Sequence, residues 1–457
     1  MTYANVAVTS SLDLSTFLKI YQTNGVYNNL PTQSDLWKYF MKQRVGGAEG
    51  RKLTYLLRTG YGPGAVQNLA INEGDYPAAQ RSTLSEATAE YKDFGLTVSV
   101  PRSLLHRTGS DLVQYADPLT EELDAKAIVA ARIMSAQMMG DGTGVIGVIS
   151  GTPTINTTTD IVTIVLSTSN ANAGKSHIGW FMEGDKLKFA NESGTSQATD
   201  GTSVSYYKVE TVDADTDTIT CSAWTSANVQ VTDITSASTL EDGDYIYRFG
   251  TTPNDLDGGE AISDYGKASE CMAGLESLAA DDGRVVHGLT MSGALAGSWK
   301  DAGGGAIDPS HFQSALSKAK RRAGKGRYKY SQAFMFDTVL DALVEANETD
   351  RRFQVGDPGN RGFKTLGYQH EKDFVQFSSD EFVSKKRIWI LPESKDVLQF
   401  YGKDFETVEA NKGQKFHLAT AASGKGHART VLSYMEGSAV VTCRHPAAIA
   451  CIENFTA

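Results

Sequence analysis

Apolar residues recur at spacings of three and four between Asp117 and Met139. Leu119, Leu123, Ala127, Ala130, Met134 and Met138 make one stripe, which predicts a long amphipathic helix. Asp117 suits its N-cap, Pro118 its first position, Glu121 and Glu122 its first turn, and Gly140 the residue after its end. At 1.5 Å per residue this helix is a rod of roughly 33 Å, long for an ordinary domain. Upstream the period changes to two. Phe94, Leu96, Val98 and Val100 alternate with Gly95, Thr97 and Ser99, predicting a strand with one covered face. LTYLL, starting at Leu53, is a second strand, and the stretch between the two, which includes GYGPGAVQNLAINEGDYPAAQ, is broken by Gly and Pro. The two strands read as a hairpin-like projection. Such a ribbon is marginal in water, so it is expected to rest on something outside its own chain.

The first 45 or so residues hold two short helical patterns, Leu14 to Tyr21 and Ser34 to Gln43, around the turn-rich GVYNNLPTQ. These pieces bury no core of their own and read as an arm. Between Gly151 and Gly250 stand 18 Thr and 11 Ser but only five basic residues, Lys175, Lys186, Lys188, Lys208 and Arg248. Strand patterns fill this block (IVTIVL, KLKFA, SVSYYKVETV, DTITCS, DYIYRF), joined by turns such as EGD, DADTD and EDGD. With helical signals on both sides, it reads as an all-β insertion. Beyond Asp255 the chain mixes helical patterns (Glu260 to Ala279, Ser310 to Arg322, Asp337 to Glu345) with strands (Ala333 to Phe336, Phe374 to Phe377, Arg387 to Leu391, Val397 to Tyr401, Ser438 to Thr442). That order predicts an α+β class.

Composition narrows the function. The 457 residues carry 43 Lys and Arg against 54 Asp and Glu, a formal charge of −11. The acid surplus argues against general nucleic-acid binding, because affinity for phosphate comes mainly from clustered Lys and Arg. The four cysteines, Cys221, Cys271, Cys443 and Cys451, form no CxxC pair, so neither a zinc cluster nor a disulfide framework is indicated. The opening MTYANVAVTSSLDLS has no signal-peptide pattern, and no apolar run reaches membrane length. Synthesis and residence in the cytosol, with no membrane partner, is the expectation.

Several motifs resemble chemical sites without their context. Gly142 to Gly147 matches G-x-G-x-x-G but follows a helix and leads into strands, the reverse of a dinucleotide fold. SNANAGKS, Ser169 to Ser176, has Ser where a P-loop needs its first Gly, and no helical period follows it. Asp213, Asp215 and Asp217 open like a calcium loop, but Thr218 and Trp224 occupy the places of its Gly and Glu. Cys443 and His445 share a strand face with no third orienting group, and Ser292 lacks the flanks of a nucleophile elbow. No catalytic, metal or cofactor site is expected.

One cluster stands apart: Lys318, Lys320, Arg321, Arg322, Lys325, Arg327 and Lys329, with Tyr328 and Tyr330 interleaved. It reads either as a solvated helix end favoured by the helix dipole or as a contact with an acidic neighbour chain or nucleic acid. Tyr206, Tyr207, Trp180 and Trp224 in the β block also fit a glycan- or receptor-binding module, which would make the chain a phage tail or surface component.

The order of parts resembles the major capsid protein of tailed bacteriophages, with its Hong Kong 97-type coat fold. The most specific match is the turn Gly140, Asp141, Gly142, Thr143, Gly144 at the end of the long helix, which in that family ends the spine helix. HFQSALSKAKRR, YSQAFMFDTVLDALVEA and TDRRF look like the family's peripheral helix, following strand and next helix, and Pro446 to Ile449 like its closing strand. The resemblance implies an N-terminal arm (1–45), an extended hairpin loop (46–104), the spine helix and start of the peripheral domain (105–150), a β-rich insertion (151–252), and peripheral and axial α+β domains (253–457). It further implies a non-enzymatic coat that assembles in the host cytoplasm with copies of itself, as hexamers and pentamers, into the shell of a virion around double-stranded DNA. Portal and scaffold proteins are implied partners, as are a decoration protein and, weakly, the packaged DNA. With no N-terminal coiled-coil segment, the scaffold is expected to be a separate protein.

Overall fold

The computed structural model describes residues 34–46, 52–60, 81–101, 118–190, 204–225, 229–231, 240–248, 271–348, 367–371, 373–407, 417–420 and 427–456. The expected helix at Leu14 to Tyr21, the tip of the hairpin and Asp117 lie outside them.

Helix α1 (Asp35–Lys42) is set by Ser34, whose side chain accepts from the Trp37 amide, and it buries Leu36, Tyr39 and Phe40. Helix α2 (Pro118–Met139) is the long rod, 22 residues. Of its predicted stripe, Ala130, Met134 and Met138 are buried, and Ser135, Ala136 and Met139 are buried as well. The C-terminal half is therefore enclosed on more than one side. Helix α3 is the short Leu275–Leu278; Gly274 comes just before it, so in the described part the helix predicted for Glu260 to Ala279 is cut to one turn. Helix α4 (Pro309–Ala323) starts on a capping box at Asp308 and His311 and ends at Gly324, and helix α5 spans Asp337–Glu348.

Three sheets receive these helices. In the six-stranded sheet the strands lie side by side as Ser298–Asp301, Ala450–Glu453, Arg387–Pro392, Tyr330–Met335, Asp373–Ser379 and Gly367–His370. It is mixed, with two parallel pairs, and α4 and α5 pack on it. The five-stranded sheet centres on the long strand His427–Cys443, flanked by Leu398–Thr407, His417–Thr420 and Lys92–Pro101, with Arg44–Gly46 at one edge. Helix α2 packs against Lys92–Pro101.

The third sheet has seven strands drawn from Val145 to Arg248. Its alternation sorts two faces: Val162, Ile164, Leu187, Phe189, Tyr207, Val209, Ile219 and Ile246 join the main core, and Val145, Val148, Ala190 and Tyr247 form a small cluster on the other side. The pairing includes Val145–Val148 against Tyr245–Arg248, so this sheet begins immediately after the turn that ends α2 rather than at residue 151.

Two expectations are corrected. The strand returning to Lys52–Gly60 is Thr83–Glu90, not the alternating run at Phe94 to Val100, which instead pairs with His427–Cys443. Alternation shows that a strand has a covered face; it does not say which strand is its neighbour. The closing segment Pro446–Ala448 is a 3₁₀ turn, and the strand begins at Ala450, as befits a proline that cannot donate to a ladder. The hairpin base also rests on its own chain. Tyr55, Leu57, Ala87 and Ala89 are buried, the Tyr55 hydroxyl lies 3.0 Å from His287 Nδ1 and the Thr88 amide donates to the His287 carbonyl at 3.0 Å. The opposite face leaves Leu56 64% and Leu84 55% exposed.

Candidate functional site

The five residues that end α2 form a hydrogen-bonded turn. Gly140 continues the helix ladder to the Ala136 carbonyl at 3.1 Å, and the Asp141 amide leaves it for the Gly174 carbonyl at 3.1 Å. Asp141 Oδ1 accepts from the Thr143 amide at 3.0 Å and from the Thr143 hydroxyl at 2.5 Å. Gly142 and Gly144 both sit at φ +81°, a region that side chains other than glycine enter at a cost. A rod is thereby turned into the first strand of the seven-stranded sheet within five residues. Removing the Asp141 carboxylate strips two bonds from this turn. Asp141→Ala is expected to cost about 1–3 kcal/mol, read as a lower urea midpoint of the soluble chain at unchanged m-value.

The basic cluster divides in two. Lys318 donates to the Trp299 carbonyl at 2.6 Å, and Arg322 donates to the carbonyls of Gly293 and Gly297. Lys320 is buried, with Asp373 at 2.9 Å and Glu371 at 3.3 Å. These three fasten α4 to its own chain. Arg321, Lys325, Arg327 and Lys329 are exposed, Lys325 pairing with Glu371 at 3.2 Å and Arg327 lying over Tyr328 at 5.1 Å. In the EDGD turn, Asp244 is buried and accepts from the Glu241 amide, and Asp242 accepts from the Gly151 amide. The side chains of Glu121 and Glu122 are outside the described residues.

The remaining motifs resolve into turns and core. Asn170–Asn172, inside the P-loop-like run, is a 3₁₀ turn, and Lys175 lies over the Tyr245 ring at 5.2 Å. Asp213 accepts from the Asp215 amide within a hairpin turn, and Asp217 pairs at 2.9 Å with Lys385 outside it. Burial pushes the Cys443 thiol up to about 12, and a thiol held protonated is a poor nucleophile. None of the four cysteines is in a disulfide, and all four are buried. Trp180 and Tyr207 are core residues. Tyr206 and Trp224 stack at 6.4 Å with Lys186 and Lys208 over their rings at 4.4 and 5.7 Å, so lysines of the same sheet occupy ring faces a sugar would need.

Tertiary structure assembles one Ser–His pair that the sequence did not suggest. Ser317 Oγ lies 3.1 Å from His370 Nε2, and Lys320 Nζ lies 3.4 Å from His370 Nδ1. The ammonium can only donate, which makes Nδ1 the acceptor and leaves the proton on Nε2. His370 therefore donates to Ser317 and cannot take its proton, the opposite of what a general base requires. Among the described residues there is no cluster of three or more His, Cys, Asp or Glu placed to hold a metal. No helix among them is long and apolar enough to cross a membrane.

No family model matches the sequence. No curated protein matches it. Solved structures are similar to it. A chain of the cyanophage A-1(L) capsid asymmetric unit is similar over 98% of this chain and 100% of that one, with TM-score 0.52 and 10% identity. A chain of the capsid of an empty GTA particle is similar over 96% and 95%, with TM-score 0.46 and 11% identity. One from Mycobacterium phage Ogopogo covers 98% and 100%, with TM-score 0.40 and 10% identity. The first of these defines the class: an α+β capsid-protein fold.

Proposed function

We propose that this chain is the major capsid protein of a tailed phage and self-assembles into the icosahedral shell that encloses the double-stranded DNA genome. The observation that carries this reading is the end-to-end fold match to the cyanophage capsid chain, 98% of one and 100% of the other. In this reading residues 1–45 are the arm, the ribbon of Lys52–Gly60 and Thr83–Glu90 is the base of the extended loop, α2 is the spine, and the seven-stranded sheet is the inserted domain. The physics of the ribbon supports it: a two-stranded sheet with one apolar face docked and Leu56 and Leu84 still 64% and 55% exposed gains from a second surface, which another copy supplies. Copies meeting as hexamers and pentamers, a portal, a separate scaffold, a decoration protein and weak contact with packaged DNA complete the proposal. Its location is the virion capsid, after assembly in the host cytoplasm. The glycan-binding alternative is weakened by the lysine-covered rings of Tyr206 and Trp224.

The test is negative-stain electron microscopy of the high-speed pellet from cells expressing the chain with and without its neighbouring genes. Closed shells, or six- and five-membered rings, are expected. A soluble monomer under both conditions overturns the reading. Leu56→Asp with Leu84→Asp is expected to abolish particles while the soluble chain keeps its far-ultraviolet circular dichroism, because both side chains are exposed in the single chain. Charge reversal at Arg321, Arg327 and Lys329 is expected to lower particle yield, more so at low salt. Unchanged yield would remove the basic helix end from the contacts between copies.

A further inference from the structure

Eight consecutive residues, Asp380 to Arg387, bond to several separate parts of the chain. Asp380 Oδ2 accepts from the Ser34 hydroxyl at 2.5 Å and from the Leu36 amide at 3.0 Å, so a carboxylate from this loop caps the first turn of α1. Glu381 receives Arg132 of α2 at 2.6 Å, and its carbonyl accepts from His177 Nε2 at 2.6 Å. The Phe382 carbonyl accepts from Trp180 Nε1 at 2.9 Å, and its ring lies 5.2 Å from the Arg132 guanidinium. Lys385 reaches the turn of the seven-stranded sheet, at the Ala214 carbonyl (2.7 Å) and Asp217 (2.9 Å). Arg387 holds Glu276 of α3 at 2.9 Å and the Asn170 carbonyl at 3.2 Å.

The approach is close enough to depend on a glycine. A Cβ on Gly179 would stand 1.9 Å from the Glu381 carbonyl oxygen and 2.9 Å from its carbon, both backbone atoms. The seven-stranded sheet therefore seats on this loop only while the loop keeps its shape. The same shape places Asp380 beneath α1 through the Asp380–Phe382 turn, in which the Phe382 amide donates to Asp380 Oδ1 at 3.0 Å. One short loop cannot satisfy one set of contacts and abandon the other without moving backbone shared by both.

We propose that the Asp380–Arg387 loop is a coupling joint, which links the capping of α1 and the position of the spine helix to the docking of the seven-stranded sheet. Linkage of this kind is reciprocal: whatever loosens the sheet loosens α1, and the reverse. The joint lies within one chain, so it stands whether or not the chain forms shells.

Native-state amide hydrogen exchange on the full soluble chain tests this. Gly179→Ala forces the sheet off the loop, and Lys385→Met is the milder variant if the first does not fold. Either is expected to raise exchange about tenfold or more in Tyr206–Trp224 and also in the amides of α1. Ser34→Ala, at the helix side, is expected to raise exchange in α1 and also around Asp213–Thr218. Amides of the Lys52–Gly60 ribbon serve as the control for global unfolding and are expected to stay within twofold of their rates in the unsubstituted chain. Effects confined to the element that carries each substitution, with the far element unchanged, would overturn the joint. So would equal rises everywhere, which report loss of global stability.

Discussion

Arg387→Met is expected to destabilise the soluble chain by about 3–5 kcal/mol, the usual loss when one partner of a buried ion pair is removed. The Arg387 side chain is 6% exposed and the Glu276 side chain 9%, with 2.9 Å between guanidinium and carboxylate. Glu453 stands 3.4 Å away on the other side, so two carboxylates share the one guanidinium. Removing it leaves negative charge buried beside Asn170. The double variant Arg387→Met with Glu276→Leu removes charge from both sides, and it is expected to recover a large part of the loss. Urea unfolding of the four proteins of this cycle decides it. If the single and double variants are equally unstable, the cost lies in packing and not in stranded charge.

Acid is expected to weaken the fold between about pH 6.5 and pH 4 through two histidines. Burial holds His177 and His287 down to about 4 in the folded chain. His177 sits between the rings of Trp180 and Phe336, and His287 beneath Tyr55. The unfolded chain binds these two protons near pH 6.5, so it is the proton-rich state in this window and stability rises with pH. The contribution is fully present above pH 6.5 and is lost as pH falls toward 4. Each histidine accounts for about 3 kcal/mol at the extreme, from 1.36 kcal/mol per pH unit. Burial raises the carboxyls of Asp380, Glu381 and Glu453, and they act in the opposite sense at the acid end. Urea midpoints measured from pH 7.5 to 4.5 are expected to fall for the unsubstituted chain, and to fall less steeply for His287→Gln. A flat profile would mean that neither imidazole is buried as the structure has it.

Much of the architecture was readable in the chain because it is local. The stripe from Ala130 to Met138, the Pro118 start and the Gly140 stop fix α2, since helix periodicity and capping act over a few residues. The strands of the Thr-rich block fall where alternation and turn residues place them, for the same reason. The GDGTG turn is largely local too: its side-chain bonds join Asp141 to Thr143, and Gly142 and Gly144 supply the backbone conformation. The acid surplus, the scattered cysteines and the fold resemblance are likewise properties of the sequence itself.

Tertiary structure decided which partners these elements take. Phe94 to Val100 announces a covered face, yet only packing gives that strand to His427–Cys443 and leaves Thr83–Glu90 to close the ribbon. Seven basic residues in twelve look like one patch. Folding gives Lys318, Lys320 and Arg322 carbonyl or carboxylate partners in their own chain, and leaves Arg321 and, beyond the helix end at Ala323, Lys325, Arg327 and Lys329 exposed. The joint at Asp380 to Arg387 left no mark in the pattern, since two of its acceptors are the backbone carbonyls of Glu381 and Phe382, which any residue type carries. Gly179 was equally silent: its role is to lack a Cβ where a chain segment some two hundred positions away passes overhead. Local propensity is set by neighbours in sequence. Sheet partners, buried charge pairs and close backbone contacts are set by residues that meet only after the chain has folded.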